Sequence, residues 1–261
     1  MKIARFSHMG KTRYGIVDNQ IIKGYRGSPF AHPGTGKIYF SSDGTHYKLD
    51  EVKLLAPCEP SKIVCLGLNY RKHIEEIGFK FPENPILFLK PPSAIINPEE
   101  FIVRPKSARG RIDYEGEVGV VIGKKARNVT EKNALEYILG YTCVNDVTDR
   151  DAQQKDGQWT RAKGFDTFCP MGPWIETEGD PNKIEVRTLL NGQIRQNSHT
   201  GYLIFKIPYL IAFISEVMTL MPGDIIATGT PEGIGQLNPG DVVEIKVEGV
   251  GTLRNQVRNQ A

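Results

Sequence analysis

The chain contains nothing close to the ~18 uninterrupted apolar residues that a membrane-spanning helix requires, so no membrane role is expected. Its opening, MKIARFSHMG, lacks the apolar core of a signal peptide, and the expected compartment is the cytoplasm. The formal charge is only +3, with Lys and Arg dispersed, so no basic tail or stripe points to nucleic acid. Cysteine is scarce. Cys58, Cys65, Cys143 and Cys169 show no C-x-x-C spacing, which excludes the usual zinc and disulfide frameworks and leaves buried free thiols in a reducing compartment. A Gly-x-Ser-x-Gly elbow, a Gly-Lys-Ser/Thr phosphate loop and a G-x-G-x-x-G run after a first strand are all missing, so serine hydrolase and nucleotide-binding readings have little support. What is present is an ordinary globular composition, 39% apolar and 24% charged over 261 residues. That length fits one large domain, or a small one plus a larger one.

Residues 1–57 read as a small β-rich unit. KIARF, RYGIVD and QIIKG are short apolar runs separated by turn signals, and SPFAHPGTGK is a loop. Proline cannot continue a sheet interior, so the Pro-rich run at 56–60 marks a boundary and 58–261 forms the larger unit. Ile63–Leu66 is an apolar strand ending at Gly67; RKHIEEI follows as a short helix closed by Gly78, and NPILFLK is an apolar run stopped by two prolines. The spacing of Ala134, Leu135, Ile138 and Leu139 predicts a helix after Thr130, leading into the strand YTCVNDVT. EVRTLL and QIRQN flank Asn191-Gly192, the favoured two-residue hairpin turn. IPYLIAFISEVMTL makes one amphipathic helix, and two Pro-Gly-Asp turns each feed a strand near the C-terminus. The body is therefore mostly β (α+β), with short flanking helices and no βαβ rhythm.

The chemistry centres on RIDYEGEVGVVIG. Side chains alternate along a strand, so Glu115 and Glu117 share one face with Cα atoms about 7 Å apart, close enough to converge on one cation. Like charges on one face need something positive. A divalent ion held by oxygens answers, with Asp146 as the third ligand; the bland alternative is a wet strand face. His73 and Glu76 lie three apart on a helix and can share a proton, or else form an ordinary surface pair. Lys163 sits in the aromatic segment WTRAKGFDTF, where it points at an anion or snorkels. A helical turn over 149–156 would place Asp146, Arg150 and Gln153 at intervals of four and three. TGTPEGIG offers Thr230 and glycine amides, Gly229 among them, that could cradle a carboxylate. Arg150 and Lys90 are further anion partners, each taken alone a surface charge.

These stretches in this order, from CLGLNYRKHIEEIG through DYEGEVGVVIG, GYTCVNDVTDRD, WTRAKGFDTFCPMGPW and NGQIRQ to TGTPEGIG and GDVVEIKVEG, resemble the fumarylacetoacetate hydrolase family over residues 60–257. The first 57 residues match only the N-terminal extension of bacterial members. The resemblance implies a β-sandwich or β-roll, commonly a homodimer, with one Mg²⁺ or Mn²⁺ per subunit. It makes Glu115, Glu117 and Asp146 the metal ligands and His73 with Glu76 the water-activating dyad. Lys163, Arg150, Gln153, Gly229 and Thr230 would hold or act on a small 2-oxo acid. Acylpyruvase-like members carry Arg after the corner glycine; Leu68 stands there instead, which leans the reading toward isomerase-like and hydrolase-like members.

Three carboxylates on an octahedral ion leave positions for a bidentate 2-oxo acid, and the absence of His or Cys ligands favours Mg²⁺ or Mn²⁺ over zinc. The expected activity is C–C hydrolysis of acylpyruvate or fumarylacetoacetate type, or isomerisation of 2-hydroxyhepta-2,4-diene-1,7-dioate type. Oxaloacetate decarboxylation is the alternative within the same chemistry. A non-catalytic small-molecule binding protein and a purely structural subunit are the readings from other classes.

Overall fold

The computed structural model describes residues 1–261 except Pro33 and Arg109. Strands β1 (Lys2–His8), β2 (Lys11–Asp18), β3 (Ile21–Ser28) and β4 (Tyr39–Lys48) form an antiparallel meander, and β5 (Lys53–Leu55) pairs with β1. The first turn is Met9-Gly10, with φ of 49° and 73°, the left-handed pair that matches strand twist in a two-residue hairpin. Strand β4 has no counterpart in the apolar pattern. Its sequence YFSSDGTHYK is mainly polar because the strand is an exposed sheet edge. The expected loop SPFAHPGTGK spans the β3–β4 connection, with Pro33 outside the described residues.

Strand β6 (Ile63–Gly67) is buried throughout and delivers α1 (Arg71–Ile77). Gly78 closes that helix in the left-handed conformation, φ 73°, its N–H donating to the Ile74 carbonyl. Strand β7 (Ile86–Lys90) returns antiparallel to β6 and is stopped by Pro91-Pro92; β8 (Ile95–Ile96) and β9 (Phe101–Arg104) follow. The E-x-E stretch divides into β10 (Ile112–Tyr114) and β11 (Gly116–Ile122), with Glu115 at the break between two sheets.

Residues Glu131–Tyr137 form a short 3-10 segment, where the apolar spacing predicts an α-helix. Ile138 and Leu139, counted toward that helix, belong to β12 (Ile138–Asn145), and Leu135 is exposed. Pairing of β12 with β11 claims those residues and leaves only a seven-residue connection. After β13 (Thr148–Asp149), α2 (Arg150–Asp156) starts with the Asp149 carboxylate accepting from Ala152 N–H, and α3 (Thr160–Lys163) follows. Asp146 thus lies before the helix and not on its face. Strand β14 (Cys169–Glu176) precedes the expected hairpin of β15 (Glu185–Leu190) and β16 (Gln193–His199), whose turn residues Asn191 and Gly192 have φ of 52° and 77°. Helix α4 (Ile207–Val217) leads to β17 (Ile225–Ala227), β18 (Gly235–Gln236), β19 (Val242–Val247) and β20 (Gly251–Asn259).

The strands build a 12-stranded sheet ordered β4-β3-β2-β1-β14-β12-β11-β17-β6-β7, with β5 and β8 off that path, a three-stranded sheet β13-β10-β18, and a five-stranded sheet β16-β15-β19-β20-β9. Pairing is mixed: β6 and β17 run parallel in a largely antiparallel sheet. The N-terminal meander joins the large sheet through Lys2↔Glu176 and Ile3↔Ile175. The fold is mostly β with few helices, a β-rich N-terminal part and a larger β-rich C-terminal part.

Strand β11 is buried on both faces. Val118, Val120 and Ile122 enter the core shared with α4 and the five-stranded sheet, while Val121 enters a second core with Ile63, Cys65 and Ile175. Each such side chain contributes about 1.5–3 kcal/mol by leaving water. Glu117 is therefore carried by a strand buried along its whole length, with Glu115 buried just before it, and the wet-face alternative fails. The four cysteines are all buried free thiols. Among the described residues, no helix is long and apolar enough to cross a membrane.

Candidate metal centre and active site

Glu115, Glu117 and Asp146 are at most 5% exposed, and each offers a carboxylate oxygen within 4.8 Å of the others. Oxygens on one octahedral ion with about 2.1 Å bonds lie roughly 3.0–4.2 Å apart, so a small inward movement of these side chains would seat one ion. The backbone explains the convergence. Glu117 and Val144 are register partners in β11 and β12, Asp146 lies just beyond the end of β12, and Asp146 N–H donates to the Glu115 carbonyl at 2.8 Å. Glu117 Oε2 accepts from the Gly229 amide at 2.8 Å. Gly229 has φ 98°, and a Cβ there would meet Asn69 at 2.9 Å, so only glycine presents its amide in this way.

Three cations surround the cluster. Lys163 Nζ donates to Glu115 Oε2 at 2.8 Å and to Asp146 Oδ2 at 2.6 Å. Lys90 Nζ donates to Asp146 Oδ1 at 2.6 Å and to the Val147 carbonyl at 3.1 Å. Arg150 makes an ion pair with Glu115 Oε1 at 2.5 Å and donates from Nε to Asp113 Oδ2 at 2.8 Å. Lys163 and Lys90 are 2% and 1% exposed, so neither snorkels nor sits at the surface. The surface reading of Lys90 and of Arg150 is corrected by this geometry: a buried ammonium or guanidinium survives where carboxylates meet it.

The protonation balance follows from these contacts. Burial resists ionisation of Glu115, but Lys163 and Arg150 outweigh it and hold its carboxyl well below the usual range. On Glu117 the Gly229 amide and the more distant Lys163 charge favour ionisation but do not prevail. Burial, joined by the Asp146 and Glu115 charges, pushes its carboxyl well above the usual range. Burial works against charge on Lys163 too, yet Asp146 and Glu115 raise its pKa. A divalent cation shared by the three carboxylates would remove the repulsion at Glu117, and an all-oxygen donor set suits a hard ion.

The catalytic-dyad expectation brings its residues together. His73 Nδ1 lies 3.3 Å from Glu76 Oε2 on α1, and the Gly233 N–H holds Glu76 through both oxygens at 3.1 and 3.2 Å. His73 is buried, and with Lys163, Glu115, Arg150, Gln153 and Thr230 it faces one cavity of about 570 Å³. Gln153 accepts from Arg150 Nη1 at 2.9 Å, which fixes the guanidinium. Gly229 is behind the cluster, its amide committed to Glu117 and not turned to the cavity. Much of the remaining lining is apolar: Leu68, Ile77, Phe79, Phe88, Trp159 and Ile234. Leu68 holds the corner after β6 at φ 56°, and a Cβ on Gly67 would strike the Trp159 ring at 2.5 Å.

Sequence reasoning missed Asp113, Asn145 and Gln196. Asp113 is fully buried between Arg111 and Arg150, and its signal was an acid inside the apolar strand RIDY. The Asn145 side-chain carbonyl accepts the Glu115 N–H at 3.0 Å, and that of Gln196 accepts the Gly116 N–H at 3.0 Å. These two amides satisfy the backbone where β10 breaks into β11.

The comparisons with known proteins agree with this geometry. A profile described as "Fumarylacetoacetate (FAA) hydrolase C-terminal" matches residues 62–258, and one described as "Rv2993c-like, N-terminal" matches residues 1–57. Oxaloacetate tautomerase YisK of Bacillus subtilis is 41% identical over 81% of this chain and 75% of its own length. The structure of 5-carboxymethyl-2-hydroxymuconate delta-isomerase from Mycobacterium smegmatis has a TM-score of 0.90 at 44% identity, covering 100% of both chains. Maleylpyruvate hydrolase from Sphingobium sp. SYK-6, solved with manganese(II) and pyruvate, has a TM-score of 0.82 at 31% identity, again covering 100% of both. With three quarters of its length matched by the family's own profile and an acidic triad at the buried focus of the fold, the chain belongs to the fumarylacetoacetate hydrolase family.

Proposed function

We propose that this chain is a divalent-metal enzyme, Mg²⁺- or Mn²⁺-dependent, that moves a proton at the carbon next to the ketone of a small 2-oxo acid, interconverting keto and enol forms. The observation that carries this reading is the shared cavity: Glu115 of the oxygen-only triad, the buried Lys163 ammonium and the His73 imidazole, backed by Glu76, all face it. The roles assigned are Glu115, Glu117 and Asp146 as metal ligands, Lys163 as a charge partner of the reacting oxygens, and His73 with Glu76 as the proton-transfer pair.

A divalent ion held by Glu115, Glu117 and Asp146 would supply Lewis-acid polarisation of the ketone. The residues do the rest. Lys163 keeps an ammonium where negative charge grows on the substrate oxygen. Arg150, held by Asp113 and Gln153, offers its fork to the substrate carboxylate. His73, oriented by Glu76, takes the proton from the carbon next to the ketone and delivers it to the former ketone oxygen, or the reverse, an arrangement worth roughly 10²–10⁴ in rate. Gly229 acts through Glu117 by fixing that carboxylate, and Thr230 lines the anion end of the cavity.

Support from relatives runs the same way. The tautomerase and isomerase named above carry out proton shifts, and the maleylpyruvate hydrolase holds manganese(II) with pyruvate. A second reading, hydrolysis of a C–C bond, is favoured by the same dyad, since an imidazole backed by a carboxylate can deprotonate a water. Loss of CO₂ from oxaloacetate would pass through the same enolate. The division of the chain at residue 57 and a homodimeric assembly belong to the proposal as well. The test is a panel of oxaloacetate and acylpyruvates, scored for enol–keto exchange, C–C cleavage and CO₂ release with Mg²⁺, Mn²⁺ or EDTA. Turnover that survives EDTA, or absence of all three reactions with metal present, would reject the reading.

A further inference from the structure

Gln196 projects from β16, in the five-stranded sheet, and reaches the strand that carries the glutamates. It is 1% exposed, and every polar valence of its amide is used. Oε1 accepts from Gly116 N–H at 3.0 Å and from Thr188 Oγ1 at 2.6 Å. Nε2 donates to Thr230 Oγ1 at 2.7 Å and to the Pro231 carbonyl at 2.8 Å. The amide cannot be turned over, because its oxygen faces a backbone donor and its nitrogen a backbone acceptor. The packing is also tight. A Cβ on Gly116 would lie 2.1 Å from Thr188 Oγ1 and 3.2 Å from Gln196 Oε1.

This fixes the direction of the Thr230 hydroxyl. Its oxygen already receives an N–H from Gln196, so its own hydrogen must go elsewhere. One acceptor is the Gly116 carbonyl, but at 3.1 Å that contact is long for an O–H donor, whose usual separation is about 2.7–2.8 Å. The other is the cavity, which Thr230 lines. Receiving a hydrogen bond also polarises a hydroxyl and makes it a better donor. We infer that Gln196 is a positioning residue that keeps Thr230 a hydrogen-bond donor toward an anionic oxygen in the cavity, while clamping the peptide between Glu115 and Glu117. This rests on the 2-oxo acid reading for the identity of that anion.

The experiment is calorimetric titration of oxalate, a planar dianion with two neighbouring carboxylates, into Mn²⁺-saturated protein, with Mn²⁺ affinity measured in parallel. Wild type should bind. Gln196→Glu replaces the donor nitrogen by an acceptor, turns the Thr230 hydrogen inward and should weaken oxalate at least tenfold. Gln196→Met removes all four bonds but leaves the hydroxyl free to turn, so it should weaken oxalate less. Thr230→Val should weaken oxalate about as much as Gln196→Glu, and in that background Gln196→Glu should add little. Mn²⁺ affinity should stay within threefold in Thr230→Val. If Gln196→Glu does not fold, Gln196→Met carries the test, and its effect must vanish in Thr230→Val. Wild-type oxalate affinity in Gln196→Glu, or effects that multiply in the double variant, would overturn the role of Gln196. Wild type that holds Mn²⁺ but not oxalate would overturn the functional reading, and the ligand inferred here with it.

Discussion

Replacing Lys163 by Met should lower the stability of the metal-free protein and raise its affinity for metal. The 2%-exposed ammonium bridges Glu115 at 2.8 Å and Asp146 at 2.6 Å. Around it Asp113, Glu115 and Asp146 pair with Lys90, Lys163 and Arg150, with half-exposed Arg111 adding a screened charge. With Glu117 held protonated by burial and its acidic neighbours, three ionised carboxylates against three cations leave about zero net charge; Lys163→Met makes it about one negative. Removing one partner of a buried pair costs about 3–5 kcal/mol, and at about 2–4 °C per kcal/mol for a chain near this size the midpoint should fall by roughly 6–20 °C. A divalent ion fills the same electrostatic need, so the variant should bind Mn²⁺ on the order of tenfold more tightly, a difference of about 1.4 kcal/mol. Thermal melts across a Mn²⁺ series would then converge on wild type as metal rises, by linkage, while turnover stays lost. A variant that melts like wild type in EDTA, or binds Mn²⁺ more weakly, would refute the charge balance drawn here.

Glu117→Gln should abolish specific Mn²⁺ binding and turnover together, read by electron paramagnetic resonance of free Mn²⁺; retention of wild-type affinity would remove Glu117 from the ligand set. His73→Ala should lower turnover by roughly 10²–10⁴ with Mn²⁺ affinity unchanged, and metal loss in that variant would contradict the division of roles. Asp224→Ala should cost about 3 kcal/mol or more without touching the metal site, since that fully buried carboxylate accepts from Ser61, Lys62 and Met221; a midpoint within 2 °C of wild type would count against it. Alkaline pH should destabilise the fold. Burial pushes Cys143 up to about 12 from 9 and Tyr141 up to about 12 from 10. Raised folded-state values mean that stability is intact below pH 9 and drains away as pH climbs from 9 to 12. Melts across that window should show a shallower decline in Cys143→Ala.

Much of the site was readable because its key residues sit in local patterns. The E-x-E spacing, the His73–Glu76 interval and the glycine at 229 are each short-range signals: the two glutamates meet Asp146 in one acidic cluster, His73 meets Glu76, and the Gly229 amide meets Glu117. The hairpin at Asn191-Gly192 and the Gly78 helix end were legible for the same reason: each needs a left-handed residue at one place. What sequence could not reveal depends on distant partners. Lys90 looks like a strand-end surface lysine until β7, four positions from β12 in the sheet order, is seen to carry it to Asp146. Gln196 belongs to another sheet altogether, and no local rule ties a hairpin glutamine to Gly116. The helix expected after Thr130 failed because Ile138 and Leu139 have a stronger claim as strand residues.

The four thiols have a practical consequence. Each is sealed in the interior, with a pKa raised chiefly by desolvation, and none is among the residues that line the cavity. A maleimide or iodoacetamide pulse should therefore leave native molecules unlabelled and tag only those that have opened. Labelling kinetics become a built-in clock for global unfolding, free of any engineered probe, against which metal and ligand protection can be timed.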